Sequence, residues 1–207
     1  MDTIEAMHGR RSIRSYRPDP VDRGVLEELL WAAAQAPTPP ISGAVPWAFH
    51  VIEGIERLAE LGRRAKQYAH DHQPPGQHWA WTERPEFKVF WDAPAVVLIC
   101  GRRDNPEAAF DCARAGQNLM LAAHARGIGT CWVGAPIPWL SSPGVAAELD
   151  VPAGFDPVVA MLLGQPREMP AGSPRPRPAV TYASPPPLAR GAESISTKPT
   201  ARGGAFT

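Results

Sequence analysis

The strongest chemical signal in the sequence is a basic run near its start, where Arg10, Arg11, Ser12 and Arg14 fall within five positions. A guanidinium group carries a planar fork of donors that matches a phosphate, and a serine hydroxyl with backbone N–H groups can complete the site. In an extended segment, Arg10, Ser12 and Arg14 point to one side and Ile13 to the other. We therefore expect Ile13 to anchor the run in the core while the polar side chains converge on an anion. A solvated basic turn is the alternative for such a run.

The charge balance of the chain limits where an anion could bind. Its 207 residues suffice for one domain with a hydrophobic core. Lys plus Arg and Asp plus Glu both number 21, so no global positive field draws the protein to nucleic acid or to an anionic membrane. We expect neither as a partner, and a phosphate contact must come from a local cluster.

Cysteine and histidine placement argues against a disulfide frame or a metal site. Cys100, Cys112 and Cys131 are unevenly spaced and form no CxxC pair, so they are predicted to be buried free thiols. The histidines lack a matching cysteine or carboxylate pattern, and we assign no metal. The N-terminus has no apolar signal region, and the longest apolar runs are too short to span a bilayer. These features predict a soluble cytoplasmic protein.

Hydrophobic periodicity predicts helices and strands that alternate along the chain. Predicted strands cover 47–52, 93–101, 129–134 and 157–164, and predicted helices cover 3–7, 22–36, 54–68, 105–126 and a turn from Ser142. Such alternation favours an α/β sandwich, with a strand order that the pattern does not reveal. The helix at 105–126 has a flank of small residues that lets other groups approach closely, inside the core or across a dimer interface.

Three segments fall outside this regular pattern. The stretch 37–46 holds four prolines and is predicted to be a loop with a largely fixed path. The aromatic stretch 71–91 is either a mobile lid over a flat ligand or a packed excursion that buries its own rings, and the pattern favours the second. Nine prolines lie from 166 to 199, so this tail cannot form a core element. We expect it to be ordered to about residue 182 and loose from about 189.

Four blocks of the sequence, in this order, resemble the flavin-dependent nitroreductase family. They are 10–16, 36–38 leading to 46–49, 116–123 leading to 127–134, and 159–166. The resemblance covers the chain to about Arg177. It implies an α+β sandwich, with a mixed central sheet flanked by helices, that forms a homodimer in which the C-terminal extension packs on the partner. The implied FMN-binding domain is 1–182, followed by a proline-rich tail at 183–207.

The same resemblance implies FMN as the cofactor, bound at the subunit interface. Arg10, Arg11, Ser12 and Arg14 would hold the phosphate and ribityl chain. The loop residues that would approach the ring from the other subunit are Pro37, Thr38, Ser42, Gly43 and Val45. The strand residues that would lie against the isoalloxazine are Trp132, Val133 and Gly134. Arg175 or Arg177 would close over the phosphate.

The sequence departs from the family pattern just before the first strand. The family commonly has Asn-x-Gln-Pro-Trp there, whereas this chain has the residues Gly43-Ala44-Val45-Pro46-Trp47. Two side chains that would hydrogen-bond the flavin or the substrate are therefore missing. Because a lost hydrogen bond costs only about 0.5–1.5 kcal/mol when no buried group is stranded, we expect weaker or repositioned FMN binding rather than none.

The function implied by the resemblance is two-electron ping-pong transfer from NAD(P)H, through FMN, to a small organic acceptor such as a nitroaromatic compound or a quinone. No catalytic residue of the protein is implied, because the flavin carries the redox chemistry. This agrees with a sequence that has no nucleophile elbow and no Walker glycine loop. Two alternatives stay open: a flavin-dependent oxidase or dehydrogenase of a biosynthetic pathway, and a non-catalytic flavin-binding or interaction protein.

Overall fold

The computed structural model describes residues 1–40, 45–172 and 175–183. The chain divides into two compact units, Met1–Gly172 and Ser173–Thr207. All regular structure described below belongs to the first unit. The sequence-based boundary between the FMN-binding domain and the tail, at residue 182, stays a prediction, and the expected loose end from residue 189 lies outside the described residues. In the described part of the chain, no helix is long and apolar enough to span a bilayer.

The predicted strands and helices are all present in the structure. In chain order they are α1 (Thr3–Gly9), α2 (Arg23–Ala33), β1 (Trp47–Glu53), α3 (Ile55–Asp71), a 3₁₀ turn (Ala80–Glu83), β2 (Ala95–Arg102), α4 (Ala108–Ala125), β3 (Gly129–Val133), α5 (Ile137–Leu140), α6 (Val145–Glu148) and β4 (Phe155–Gly164). The Asp2 carboxylate caps α1 by accepting the backbone N–H of Glu5 at 2.8 Å. Asp22 caps α2 in the same way, through the N–H of Val25 at 3.0 Å.

The four strands form one sheet in the order β1-β2-β4-β3, and every neighbouring pair is antiparallel. The expected mixed sheet is therefore corrected: parallel pairing in the described residues is limited to an isolated bridge between Ser12 and Thr130. The chain path explains the antiparallel order. After β1, the excursion through α3 returns to the end of the sheet where it started, and the N–H of Gly54 donates to the carbonyl of Pro94 at 3.0 Å. Consequently, β2 runs back along β1.

The sheet is covered on both faces, which confirms the predicted sandwich. Side chains of Val97 and Ile99 pack with α2 and α4 on one face, and those of Val96 and Leu98 pack with α3 and α5 on the other. Because β2 is buried on both faces, its sequence is continuously apolar rather than alternating. At Gly116, the small flank of α4 admits the side chains of the sheet beneath it.

The aromatic segment after α3 packs on itself, which matches the excursion that the sequence favours. Ring centroids of Trp79 and Trp81 are 6.3 Å apart, those of Trp81 and Phe87 are 5.1 Å apart, and those of Phe87 and Trp91 are 5.5 Å apart. The Nζ atom of Lys66, on α3, donates to the carbonyl of Phe87 at 3.4 Å. These contacts bind the segment to α3 and to the core.

All three cysteines are buried and free, as predicted. Burial raises the pKa of the Cys100 thiol and of the Cys112 thiol to about 12, so both are protonated at neutral pH.

A buried polar network joins α4 to the turn that follows β2. The carboxylate of Asp111 has no exposed surface, and it accepts the Asn105 side-chain amide at 2.9 Å and the Arg114 guanidinium at 2.8 Å. Asn105 also accepts the backbone N–H of Glu107 at 2.9 Å. The network thereby sets where α4 begins on the sheet, and β3 follows directly from α4.

We predict that Asp111→Ala lowers the free energy of unfolding by about 2–3 kcal/mol, because it leaves the buried amide of Asn105 without an acceptor. Urea unfolding followed by circular dichroism measures the change. Glu28→Ala is the control, since Glu28 pairs with Arg126 at the surface and should matter little. Equal stability of the two variants would contradict the role given to the network.

Candidate functional site

The basic run lies along the edge of the sheet formed by β3 and the end of β4. The backbone N–H of Ile13 donates to the carbonyl of Thr130 at 2.8 Å, and the N–H of Arg17 donates to Gln165 at 2.8 Å. The Tyr16 hydroxyl donates to the carbonyl of Ile13 at 2.6 Å. Backbone pairing therefore holds residues 12–17 extended, which is the conformation that the alternation of side chains requires.

Ile13 anchors this segment as predicted, with only 2% of its surface exposed. The close approach depends on Gly129, the first residue of β3. A Cβ atom at position 129 would lie 2.9 Å from Cγ1 of Ile13, which is closer than side chains pack. The missing side chain of Gly129 thus admits Ile13 and sets the distance between the basic run and β3.

The side chains that alternate with Ile13 act together on one group, the thiol of Cys131. Burial raises the pKa of Cys131, while the charge of Arg14, a hydrogen bond with the Ser12 hydroxyl and the charge of Arg10 lower it. Arg10, Ser12 and Arg14 thus all lie within electrostatic reach of the same point in β3. Their predicted convergence on an anion stays a prediction.

Arg14 makes a second contact that links the basic run to the aromatic segment. Its guanidinium carbon lies over the ring of Trp91, 5.9 Å from the centroid. This contact is a cation–π interaction, and it helps to hold the Arg14 guanidinium group against the face of the Trp91 ring.

Arg11 has a different position from its neighbours. Its Nη1 atom donates to the carbonyls of His8, at 2.7 Å, and of Arg10, at 2.9 Å. Its guanidinium group also lies so close to Gly172 that a Cβ atom there would overlap with it. Arg11 therefore closes the C-terminal end of α1, and its predicted contact with a phosphate stays a prediction.

A hollow of about 290 Å³ opens beside Arg10 and Arg11, between α1, the end of α4 and the start of β3. His124, from the last turn of α4, also lines it. The lining includes three basic side chains and no acidic one. An anionic group therefore suits this hollow better than a cationic one.

The far end of β3 is open. Trp132 is 40% exposed, and its indole ring lies against Gly116 of α4. Val133 is buried on the other face. At Gly134, no heavy atom of the other described residues, apart from its two chain neighbours, lies within 4 Å of the position that a Cβ atom would take. Since β3 is an edge strand, no described strand covers the outer side of this stretch. The space beside Gly134 is therefore available to a bound molecule.

Seven predicted residues remain: Pro37, Thr38, Ser42, Gly43, Val45, Arg175 and Arg177. Pro37 and Thr38 are exposed, and the Thr38 hydroxyl donates to the carbonyl of Pro39 at 3.4 Å. Val45 is 64% exposed and precedes β1, the opposite edge of the sheet. Ser42 and Gly43 lie outside the described residues. Arg175 and Arg177 are exposed and belong to the second unit.

Sequence reasoning missed two residues of the site, Cys131 and Trp91. The sequence predicts Cys131 only as a buried thiol, and the structure adds that Ser12, Arg10 and Arg14 lower its pKa. Trp91 was recognised as part of the aromatic segment without a contact to Arg14. Both contacts join positions far apart in the chain, so no local pattern could have indicated them.

Comparison with known proteins extends these observations. The nitroreductase family profile matches residues 7–165. A protein of Methanothermobacter thermautotrophicus, provisionally named NADH dehydrogenase/NAD(P)H nitroreductase, is 28% identical over 174 residues, which are 82% of this chain and 80% of that protein. The 5,6-dimethylbenzimidazole synthase of Rhodospirillum rubrum is 31% identical over 183 residues, which are 81% of this chain and 83% of that enzyme.

A solved structure agrees in fold. The crystal structure of a nitroreductase with bound FMN from Bacteroides fragilis superposes with a TM-score of 0.76 at 24% identity, covering 89% of this chain and 100% of that one. The matched region holds the basic run, the four strands and the open end of β3 together. On the extent of the profile match and the arrangement of these elements, the chain belongs to the nitroreductase family.

Proposed function

We propose that the protein is an FMN-dependent oxidoreductase that transfers two electrons from NAD(P)H to a small organic acceptor. The observation that carries the proposal is the pairing of the basic run with β3, which brings Arg10, Ser12 and Arg14 within electrostatic reach of Cys131, in a chain of this family. The FMN named in the structure of the Bacteroides fragilis nitroreductase supports the choice of cofactor. The name of the Methanothermobacter relative supports NAD(P)H as the donor.

The donors of the basic run fit the phosphate end of FMN. Arg10 and Arg14 supply positive charge, and Ser12 supplies a hydroxyl. We assign the phosphate and the ribityl chain to these residues. Arg175 or Arg177 would add a further cation over the phosphate.

The far end of β3 fits the isoalloxazine ring. The space beside Gly134 lets backbone N–H groups come near the ring edge, and the exposed face of Trp132 offers it an apolar surface. Bound FMN supplies the two-electron redox chemistry, so the protein needs no nucleophile of its own. The role left to the chain is to place the ring, to orient the donor and the acceptor in turn, and to limit access of water.

The site requires a second copy of the chain. Val45 and β3 lie at opposite edges of the sheet, three strand spacings or about 14 Å apart. The loop residues Pro37, Thr38 and Val45, with Ser42 and Gly43, would therefore complete the site from the other subunit. Exposed aromatic side chains on α2 and α4, Trp31 at 71% and Phe110 at 59%, offer an apolar surface for dimerisation.

We predict a homodimer, with a mass about twice the 22.4 kDa of the chain, in size-exclusion chromatography with light scattering. The double variant Trp31→Ser/Phe110→Ser should shift the protein toward the monomer, because it removes the exposed rings. A wild-type monomer at micromolar concentration would contradict the shared site.

For cofactor binding, we predict that Arg14→Ala weakens FMN affinity about 10- to 100-fold, since a charge-assisted hydrogen bond is lost. Quenching of flavin fluorescence on titration measures the affinity. Arg17→Ala is the matched control: Arg17 is exposed, lies in the same segment and, among the described residues, forms a hydrogen bond only through its backbone N–H, to Gln165. Equal loss in the two variants would mean that general charge, not this site, holds FMN.

Gly134→Ala tests whether the isoalloxazine ring of FMN lies beside Gly134. The new methyl group meets no protein atom within 4 Å, so the thermal midpoint should not change. FMN affinity should nevertheless fall, because the methyl group takes space assigned to the ring. Full FMN affinity in this variant would place the ring elsewhere.

For the direction of electron flow, we predict that NADPH or NADH bleaches the flavin absorption band of the FMN-loaded protein without oxygen. Adding a nitroaromatic compound or a quinone should then restore the band, as ping-pong transfer requires. The absorption spectrum of freshly purified protein, recorded before and after each addition, measures both steps. A protein that neither retains nor rebinds FMN would overturn the proposal.

A second candidate function is a flavin-dependent oxidase or dehydrogenase of a biosynthetic pathway. The observation that favours it is the 31% identity to a relative whose name is that of a synthase. The altered loop before Trp47 also suggests an unusual substrate. The same spectra separate the two: a bound flavin that NAD(P)H does not bleach, but that a substrate does, would favour the oxidase or dehydrogenase.

A further inference from the structure

A cavity of about 380 Å³ opens between α3 and the segment 85–92, on the face of the sheet opposite α4. Aliphatic side chains of α3, among them Ile55, Leu58 and Ala59, form one wall, and the rings of Phe90 and Trp91 lie on the other. Its volume is that of a site for a small molecule. The residues assigned to FMN do not line it.

Two contacts between residues of the lining hold the walls of the cavity together. Lys66 donates from α3 to the carbonyls of Arg84 and Phe87. Deeper in, α3 has a glycine at 62, where a Cβ atom would lie 3.3 Å from the ring of Phe90. The segment therefore packs tightly on α3 at Gly62, and the cavity beside this contact is present without a ligand.

The charges around the cavity favour an anion. Its lining includes three cations, Arg63, Lys66 and Lys88, and a single acid, Asp92. Lys88 pairs with Asp92 at 2.5 Å, and Lys66 is bound to backbone carbonyls. Arg63 is exposed, and no residue in the described part of the chain forms an ion pair with it. Its guanidinium fork is thus the donor left for a ligand, and it suits a carboxylate.

The backbone at this wall is strained. Trp91 and Asp92 have φ values of 52° and 53°, a left-handed conformation that non-glycine residues rarely adopt. Each such residue is unfavourable and persists where the surroundings impose it, often at ligand sites. With this backbone conformation, the ring of Trp91 lines the cavity and also contacts the guanidinium group of Arg14.

We propose that this cavity binds a small aromatic carboxylate, with its ring between α3 and Trp91 and its carboxylate on Arg63. The aliphatic and aromatic side chains of the walls favour an aromatic body, and the excess positive charge favours an anion. None of the described residues assigned to FMN lines the cavity, so the two proposals can fail separately, although Trp91, which lines the cavity, also contacts Arg14. Through Trp91, a bound ligand would contact the same ring that carries Arg14.

The test uses 2-naphthoate as the probe and the full-length protein, with and without saturating FMN. Calorimetric titration should detect binding in both states. Arg63→Gln should weaken it about tenfold or more, since a charge-assisted contact is lost. The matched control, Arg57→Gln, removes an equal charge from the exposed face of the same helix and should bind the probe as the wild type does.

A second pair of measurements separates the apolar and the charged parts of the site. Ala59→Trp fills the cavity and should abolish binding, with circular dichroism to check that the variant is folded. Neutral 2-naphthamide should bind the wild type about tenfold more weakly than 2-naphthoate, and Arg63→Gln should remove that preference. Absence of binding would overturn the proposal. So would binding that survives both variants or that FMN displaces, because the probe would then occupy another site.

Discussion

The close approach of Ile13 to Gly129 is the contact on which the candidate site depends. The buried side chain of Ile13 packs against Gly129, which has no side chain. This contact brings residues 12–17 into hydrogen-bonding distance of Thr130 and Gln165. Ile13 and Cys131 belong to the same buried cluster, and Arg10, Ser12 and Arg14 lower the pKa of the Cys131 thiol. The proposed phosphate contacts thus depend on the same pairing that completes the core.

The position of β3 at the edge of the sheet explains the rest of the proposed site. The start of β3 pairs with the basic run, and beyond this pairing no described strand lies on the outer side of β3 as far as Gly134, where the described residues leave the adjacent space open. Such an edge is a liability in solution unless something covers it. In the proposed assembly, the flavin and the second subunit cover this edge. Cofactor binding and dimerisation would then both serve to cover the exposed side of β3.

The long segment between α3 and β2 contacts two separate parts of the molecule. The segment packs its own rings, binds to α3 through Lys66 and holds Trp91 against Arg14. It therefore connects the cationic site at β3 to a separate cavity on the other wall of the segment. Trp91 contacts both places. Its backbone has a left-handed conformation, which is unfavourable for a non-glycine residue.

The sequence by itself determined the strands, the helices, the buried thiols and the anchoring role of Ile13, because each follows from local periodicity and from which side of an element is apolar. Only the tertiary structure decided that the sheet is antiparallel, that Arg11 closes α1, and that Val45 lies at the edge opposite β3. It also decided the contact of Arg14 with Trp91. These facts depend on which distant segments of the chain come together. Local periodicity shows which side of an element is buried, but it does not show which distant residue a polar side chain will contact.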